Sequence, residues 1–197
     1  IKKPASSGNE KILPVVIQSH MDMVCVKTAE SQHDFTKDPI KLVRKGEWMY
    51  ADNTTLGADN GIAVAMTLSL FSDRGAVHGP LEALFTISEE TGLDGALNLD
   101  ISLLDSRRLI NIDSEEEGEF IIGCAGGSEI VGTLRADYQD VPKNCESWKV
   151  SLSGFLGGHS GSEIHTGRGN AIKYGIRFLR GLITVPNISL MISEISG

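Results

Sequence analysis

A chain of 197 residues, 41% of them hydrophobic, is long enough for one domain of ordinary size, or one and a half, with a real core. A net charge of −8 leaves no basic footprint for nucleic acid, and no apolar stretch approaches the ~20 residues that span a bilayer. The polar start, IKKPASSGNEK, shows no signal-peptide pattern and reads as solvated. Cys25, Cys124 and Cys145, an odd set without CxxC spacing, read as free thiols of a cytoplasmic protein.

In chain order, Ile12 to Gln18 is an almost purely apolar run, as expected of a strand covered on both faces. Residues 34–50, DFTKDPIKLVRKGEWMY, predict two strands joined by a turn at Lys45-Gly46. The turn cluster GADNG leads into a helix over Ile62 to Phe71, which Ser72-Asp73 and Gly75 end. Leu81 to Ile87 predicts a second buried strand, and Ser88 a cap for a helix with Glu89 and Glu90 in its first turn. Leu109 to Ile112 is a third strand, running into DSEEEGE. Strand, helix, strand, helix, strand is the pattern of an α/β sheet with helices on its faces. After Gly126-Gly127, SEIVGTLRADY and SWKVSLSGF alternate like strands with one exposed face, a glycine-rich loop follows, and then come a helix over Ala171 to Ile183 and a further strand. This predicts an α/β domain over residues 1–126 and a smaller α+β domain over 127–197. Both ends look cut: the sequence starts at Ile1 and stops in NISLMISEISG soon after that strand begins, so part of a longer protein is expected.

Three apolar strands end in ionisable residues: the first in His20 and Asp22, the second in Glu89 and Glu90, the third in Asp113. In open α/β sheets ligands bind beyond the carboxyl ends of the strands, and Asp59, in the turn before a helix, can join them. So many carboxylates cannot all stay ionised at one spot without a cation, so either some are protonated or a metal is present. Imidazole with carboxylates favours zinc or a similar transition ion over calcium or magnesium. Asp22, two residues beyond His20, is placed to orient the imidazole. Adjacent Glu89 and Glu90 are expected to point in different directions, one to a metal and the other free to take a proton from water. Singly, each motif has a plain explanation: a satisfied strand-end histidine, acids at a helix start, a turn aspartate, a solvated acidic run. Their coincidence at three strand ends is harder to dismiss. In GGHSGSEIHTGRGN, which lacks phosphate-loop spacing, His159 lies between glycines and a serine, where a substrate can approach closely.

The motifs SHMDMV, TTLGADNGIAVAM, ISEETGLDGA, INIDSEEEGE, GCAGG and GGHSGSEIHTGRGNA together resemble the aminoacyl-histidine dipeptidases (peptidase D, Xaa-His dipeptidase). These belong to the di-zinc metallopeptidase family that includes aminoacylases and glutamate carboxypeptidase. The resemblance implies a three-layer αβα catalytic domain with a mostly parallel sheet and a smaller lid domain, the chain being a fragment of both. It implies two zinc ions (or cobalt or manganese), with His20 and Asp113 on one, Glu90 on the other and Asp59 bridging. Asp22 would orient His20, Glu89 would be the general base toward a water between the ions, and His159 would bind the substrate carbonyl oxygen or carboxylate. A last ligand, a histidine, is expected beyond residue 197. The implied activity is hydrolysis of dipeptides, preferentially Xaa-His, and members often form a homodimer through the lid. An N-acyl amino acid deacylase or another peptidase of the family is the nearest alternative. A non-catalytic binding or assembly module is the alternative of another class, against which the presence of Glu89 and Asp59 speaks.

Overall fold

The computed structural model describes residues 1–197 apart from Glu115, Ala125, Glu129, Ser160, Ser162, Ser196 and Gly197. Parts of DSEEEGE, GCAGG, SEIVGTLRADY and the GGHSGSEIH loop therefore lie outside the described residues. The chain divides into two compact units, Ile1–Gly126 and Gly127–Gly197.

The first unit is built on a four-stranded sheet. Its strands are β1 (Lys2–Lys3), β2 (Val15–His20), β5 (Leu81–Thr86) and β6 (Leu109–Asn111), in the order β1-β5-β2-β6. Between them in sequence come the hairpin strands β3 (Leu42–Lys45) and β4 (Trp48–Ala51) and the helices α1 (Ala58–Ser72) and α2 (Asp94–Leu97). β2 is central and runs parallel to both β5 and β6, with Ile17 opposite Ala83 and Ile110 and with His20 opposite Thr86. Its apolar run buries Val16 and Ile17, and Leu81 and Ala83 of β5 complete the centre of the core. Helix α1 lies on β2 and turns Ala63 and Thr67 inward, a four-residue spacing that makes one helical face, with Asn60 buried at its non-helical start. The result is an α/β arrangement, as the strand-helix alternation predicts.

Three expectations are corrected. The first residues are not simply solvated: β1 pairs antiparallel with β5, and the Ala83 N–H donates to the Ile1 carbonyl at 2.8 Å. The hairpin is shorter than residues 34–50, with Gly46 taking the left-handed conformation (φ 64°) in the loop between Lys45 and Trp48. Ser88 caps no helix. It has φ 57°, residues 89–92 form turns, and helix α2 begins only at Asp94.

In the second unit α3 spans Ala171–Ile183, the predicted helix, and the Asn170 side chain caps it by accepting the Lys173 N–H at 2.8 Å. Phe155 stacks on Tyr174 with ring centroids 5.5 Å apart. The three strands expected here do not form among the described residues. A strand with one exposed face needs a ladder partner and a covering layer; Ile130, Leu134 and Trp148 instead stand exposed. No helix among the described residues is long and apolar enough to cross a membrane.

Candidate active site

The parallel register brings the ends of β2, β5 and β6 to one edge of the sheet. His20 closes β2 and is 1% exposed, with both ring nitrogens engaged. Nδ1 lies 3.0 Å from the backbone carbonyl of Asp22 and 3.5 Å from its Oδ1. Nε2 lies 3.0 Å from Asp59 Oδ1 and 3.7 Å from Asp113 Oδ2. The nearest atom that orients the imidazole is thus the Asp22 carbonyl.

The Asp22 carboxylate is used elsewhere. Its two oxygens accept the backbone N–H groups of Glu89 and Glu90, each at 3.1 Å. The Glu90 amide is one that a Ser88 cap would have taken, so Asp22, 68 residues away, does part of the work expected of Ser88 and holds the Glu89 amide as well. Glu89 and Glu90 therefore sit on a turn and not on a helix. Contrary to the expectation that they diverge, each brings a carboxylate oxygen within 4.8 Å of the other's and of a His20 ring nitrogen. His20, Asp59 and Asp113 form a second such group. Both are geometries that can hold a metal ion, and they share His20.

The electrostatics match a site short of positive charge. Burial pushes the Glu89 carboxyl above the usual range, and Asp113, Glu90 and Asp59 raise it further against the opposing pull of His20. Burial and the Asp59 charge do the same to Asp113. For His20 burial works against protonation, but the Asp113 charge, the hydrogen bond to Asp59 and the Glu89 charge outweigh it, and its pKa is raised. Asp22 moves the other way: burial opposes its charge, and the Glu89 and Glu90 amides more than compensate.

His159 belongs to the second unit. Its ring Nδ1 accepts the Gly161 N–H at 3.0 Å and its backbone N–H donates to Glu163 Oε2 at 2.8 Å. Glu163 is in turn paired with Arg168. A neutral ring held this way carries its proton on Nε2 and is a donor there.

Residues that sequence patterns do not single out complete the support. Asn60, in the GADNG turn, donates through Nδ2 to Asp113 Oδ1 at 2.9 Å and to the Ile112 carbonyl at 3.2 Å. Asn111 accepts the Asp113 N–H at 2.6 Å. A Cβ on Gly95 would stand 2.5 Å from the Ile87 carbonyl oxygen and 2.7 Å from its nitrogen, so only glycine fits where α2 passes the end of β5. No local signal announces Asn60, which lies with non-helical φ and ψ in the turn just before the predicted helix over Ile62 to Phe71.

No family model matches the chain. Over 181 residues it is 52% identical to a cytosol non-specific dipeptidase of Escherichia coli (strain K12), an alignment that takes in 92% of this chain and 37% of the relative. Among solved structures it is similar to the aminoacylhistidine dipeptidase from Vibrio alginolyticus, with a TM-score of 0.62 and 43% identity, over 91% of this chain and 37% of that one. The chain spans little more than a third of the length of these relatives. It is a relative of the peptidase D-like dipeptidases, as its motifs suggest.

Proposed function

We propose that the chain carries the metal-binding and proton-accepting part of a dipeptidase that acts in the cytoplasm and prefers Xaa-His dipeptides. The observation that supports this most is the convergence on buried His20 of carboxylates from Asp59, Asp113, Glu89 and Glu90 beside the carboxyl ends of parallel strands. The names of the two relatives support the substrate class and the compartment. Residues 1–126 would belong to a three-layer catalytic domain. Residues 127–197 would belong to a lid that closes over substrate and joins two copies.

The donor set fits a pair of zinc ions. One imidazole with several carboxylates is borderline-soft chemistry, and Glu89 and Asp113, both held above their usual range by burial and by neighbouring carboxylates, gain from a nearby cation. His20 and Asp113 would hold one ion, Glu90 the other, and Asp59 would reach both. Bound ions of this kind would acidify a water between them and polarise the scissile carbonyl.

The chain's own residues supply the rest. Glu89, with its raised pKa, is suited to accept a proton from the attacking water and pass it to the leaving amine. Asp22 holds the turn from which Glu89 works. His159 would bind the carbonyl oxygen or the carboxylate of the substrate.

One observation favours a broader second reading: the Escherichia coli relative, 52% identical, is called non-specific, so the active site would accept dipeptides without histidine. The test is hydrolysis by the complete protein, zinc or cobalt loaded, of β-alanyl-histidine, glycyl-histidine, a matched dipeptide without histidine and an N-acetyl amino acid. Preference for the histidine dipeptides supports the first reading, and equal turnover of all dipeptides supports the second. Cleavage of the acetyl compound alone overturns both. Glu89→Gln is expected to abolish turnover with metal content intact, and an active variant would show that Glu89 is not the base.

A further inference from the structure

Asp113 is gripped by two asparagines. Asn111, the last residue of β6, accepts its backbone N–H at 2.6 Å, and the Asn111 amide donates in turn to the Gln18 side chain on β2. Asn60 reaches it from the start of α1. Asn60 is 4% exposed, and its Nδ2 donates to both Asp113 Oδ1 (2.9 Å) and the Ile112 carbonyl (3.2 Å). The two Asp113 oxygens are thereby divided. Oδ1 is bound by Asn60, whereas Oδ2 faces His20 Nε2 at 3.7 Å.

On the reading of the site given above, we propose that Asn60 is a positioning residue that holds Asp113 Oδ1 and so turns Oδ2 toward the ion site, and that it thereby sets which ions the site prefers. A carboxylate restricted to one oxygen suits a small ion with about four ligands, such as zinc. A carboxylate free to turn both oxygens inward suits a larger ion that takes six to eight oxygens, such as calcium. Oδ1 keeps a second lone pair beside the Nδ2 bond, but rotating the carboxylate until both oxygens face one ion would weaken that bond and leave a buried amide hydrogen poorly satisfied, which disfavours the two-oxygen arrangement. Asp59 and Asn60 thus act as a unit: the first sets a carboxylate 3.0 Å from His20, and the second limits what its neighbour Asp113 can present.

The test uses the complete protein, wild type and Asn60→Ala, stripped of metal and titrated with zinc, with calcium, and with cobalt as a spectroscopic probe. Asn60→Ala is expected to lose zinc affinity by about 10–100-fold, to lose little or none for calcium, and to shift the visible cobalt spectrum toward a higher coordination number. A residue that merely supports the fold would weaken both ions alike and leave their ratio unchanged. Asn60→Leu fills the same space without a donor and answers the question if the alanine variant does not fold. An unchanged zinc-to-calcium ratio and cobalt spectrum in a folded variant, over a wild type that binds zinc, overturns the inference alone. A wild-type protein that takes up no ion overturns it together with the dipeptidase reading.

Discussion

Replacing Asp22 by alanine is expected to loosen the turn that presents Glu89 and Glu90. Two charged acceptor oxygens hold two amides at 3.1 Å. Hydrogen bonds to a charged group contribute about 1.5–3 kcal/mol each. The Asp22 side chain is 25% exposed, so water can reach part of what the carboxylate leaves behind. The expected loss on Asp22→Ala is therefore near the lower end for the pair, about 3 kcal/mol. Asparagine keeps one acceptor oxygen, now neutral, and turns an N–H₂ toward the other amide, so Asp22→Asn is expected to lose more than half as much stability. The sign of the pH dependence follows from the lowered pKa of Asp22. Its stabilisation is complete above the unfolded value of about 3.9 and fades as pH falls through the folded value, so wild type and Asp22→Ala should converge in acid. Urea unfolding of the metal-free complete protein at neutral and acid pH, with dipeptide turnover measured separately on the zinc-loaded protein, gives both readouts. Equal stability of wild type and Asp22→Ala at neutral pH, with turnover lost, would refute the reasoning: the carboxylate would then act on His20 alone.

Gly95→Ala places a methyl group against the Ile87 backbone at 2.5 Å and is expected to cost about 1–3 kcal/mol and to lower turnover by displacing the Glu89 turn; a melting temperature and rate equal to wild type would show that the turn yields freely. Glu82, buried, accepts the Ser106 N–H at 2.8 Å and the Asp105 N–H at 3.1 Å, and Lys2 lies 3.3 Å away. Burial opposes its charge, but these partners outweigh it and lower its pKa. Its contribution is thus present above about pH 4.3, the unfolded value, and is lost as pH falls through the folded one. Glu82→Gln should flatten the acid limb of a stability-pH curve, and an unchanged limb would count against that assignment. Removing metal with a chelator is expected to lower the melting temperature, and restoring zinc to 100 times its Kd should return about 2.7 kcal/mol. Identical melting curves in chelator and in zinc would argue against a metal centre.

The residues that patterns place correctly in space are those whose position follows from the sheet itself. The apolar runs ending at Gln18, Ile87 and Ile112 announce buried strands, and parallel pairing then aligns the residues that follow them. His20, Asp22, Glu89, Glu90 and Asp113 are legible for that reason, and Asp59 because a helix start follows its turn. What local patterns misjudge is decided by partners far along the chain. Ser88 before two glutamates looks like a helix start, yet the amides concerned bond to Asp22, so the helix begins five residues late. Residues 128–138 alternate well, but alternation describes a face and supplies neither a neighbour strand nor a cover. Asn60 hides in a turn cluster because its burial exists only once α1 lies on β2, and its partner is 53 residues away. The same distant bonds decide what each carboxylate can do. Asp22 has both oxygens engaged by amides and is a support; Asp113 has one engaged and one turned to His20. Charge at a strand end is readable from the sequence, whereas the number of oxygens left to a ligand becomes readable only when the fold has assigned the rest.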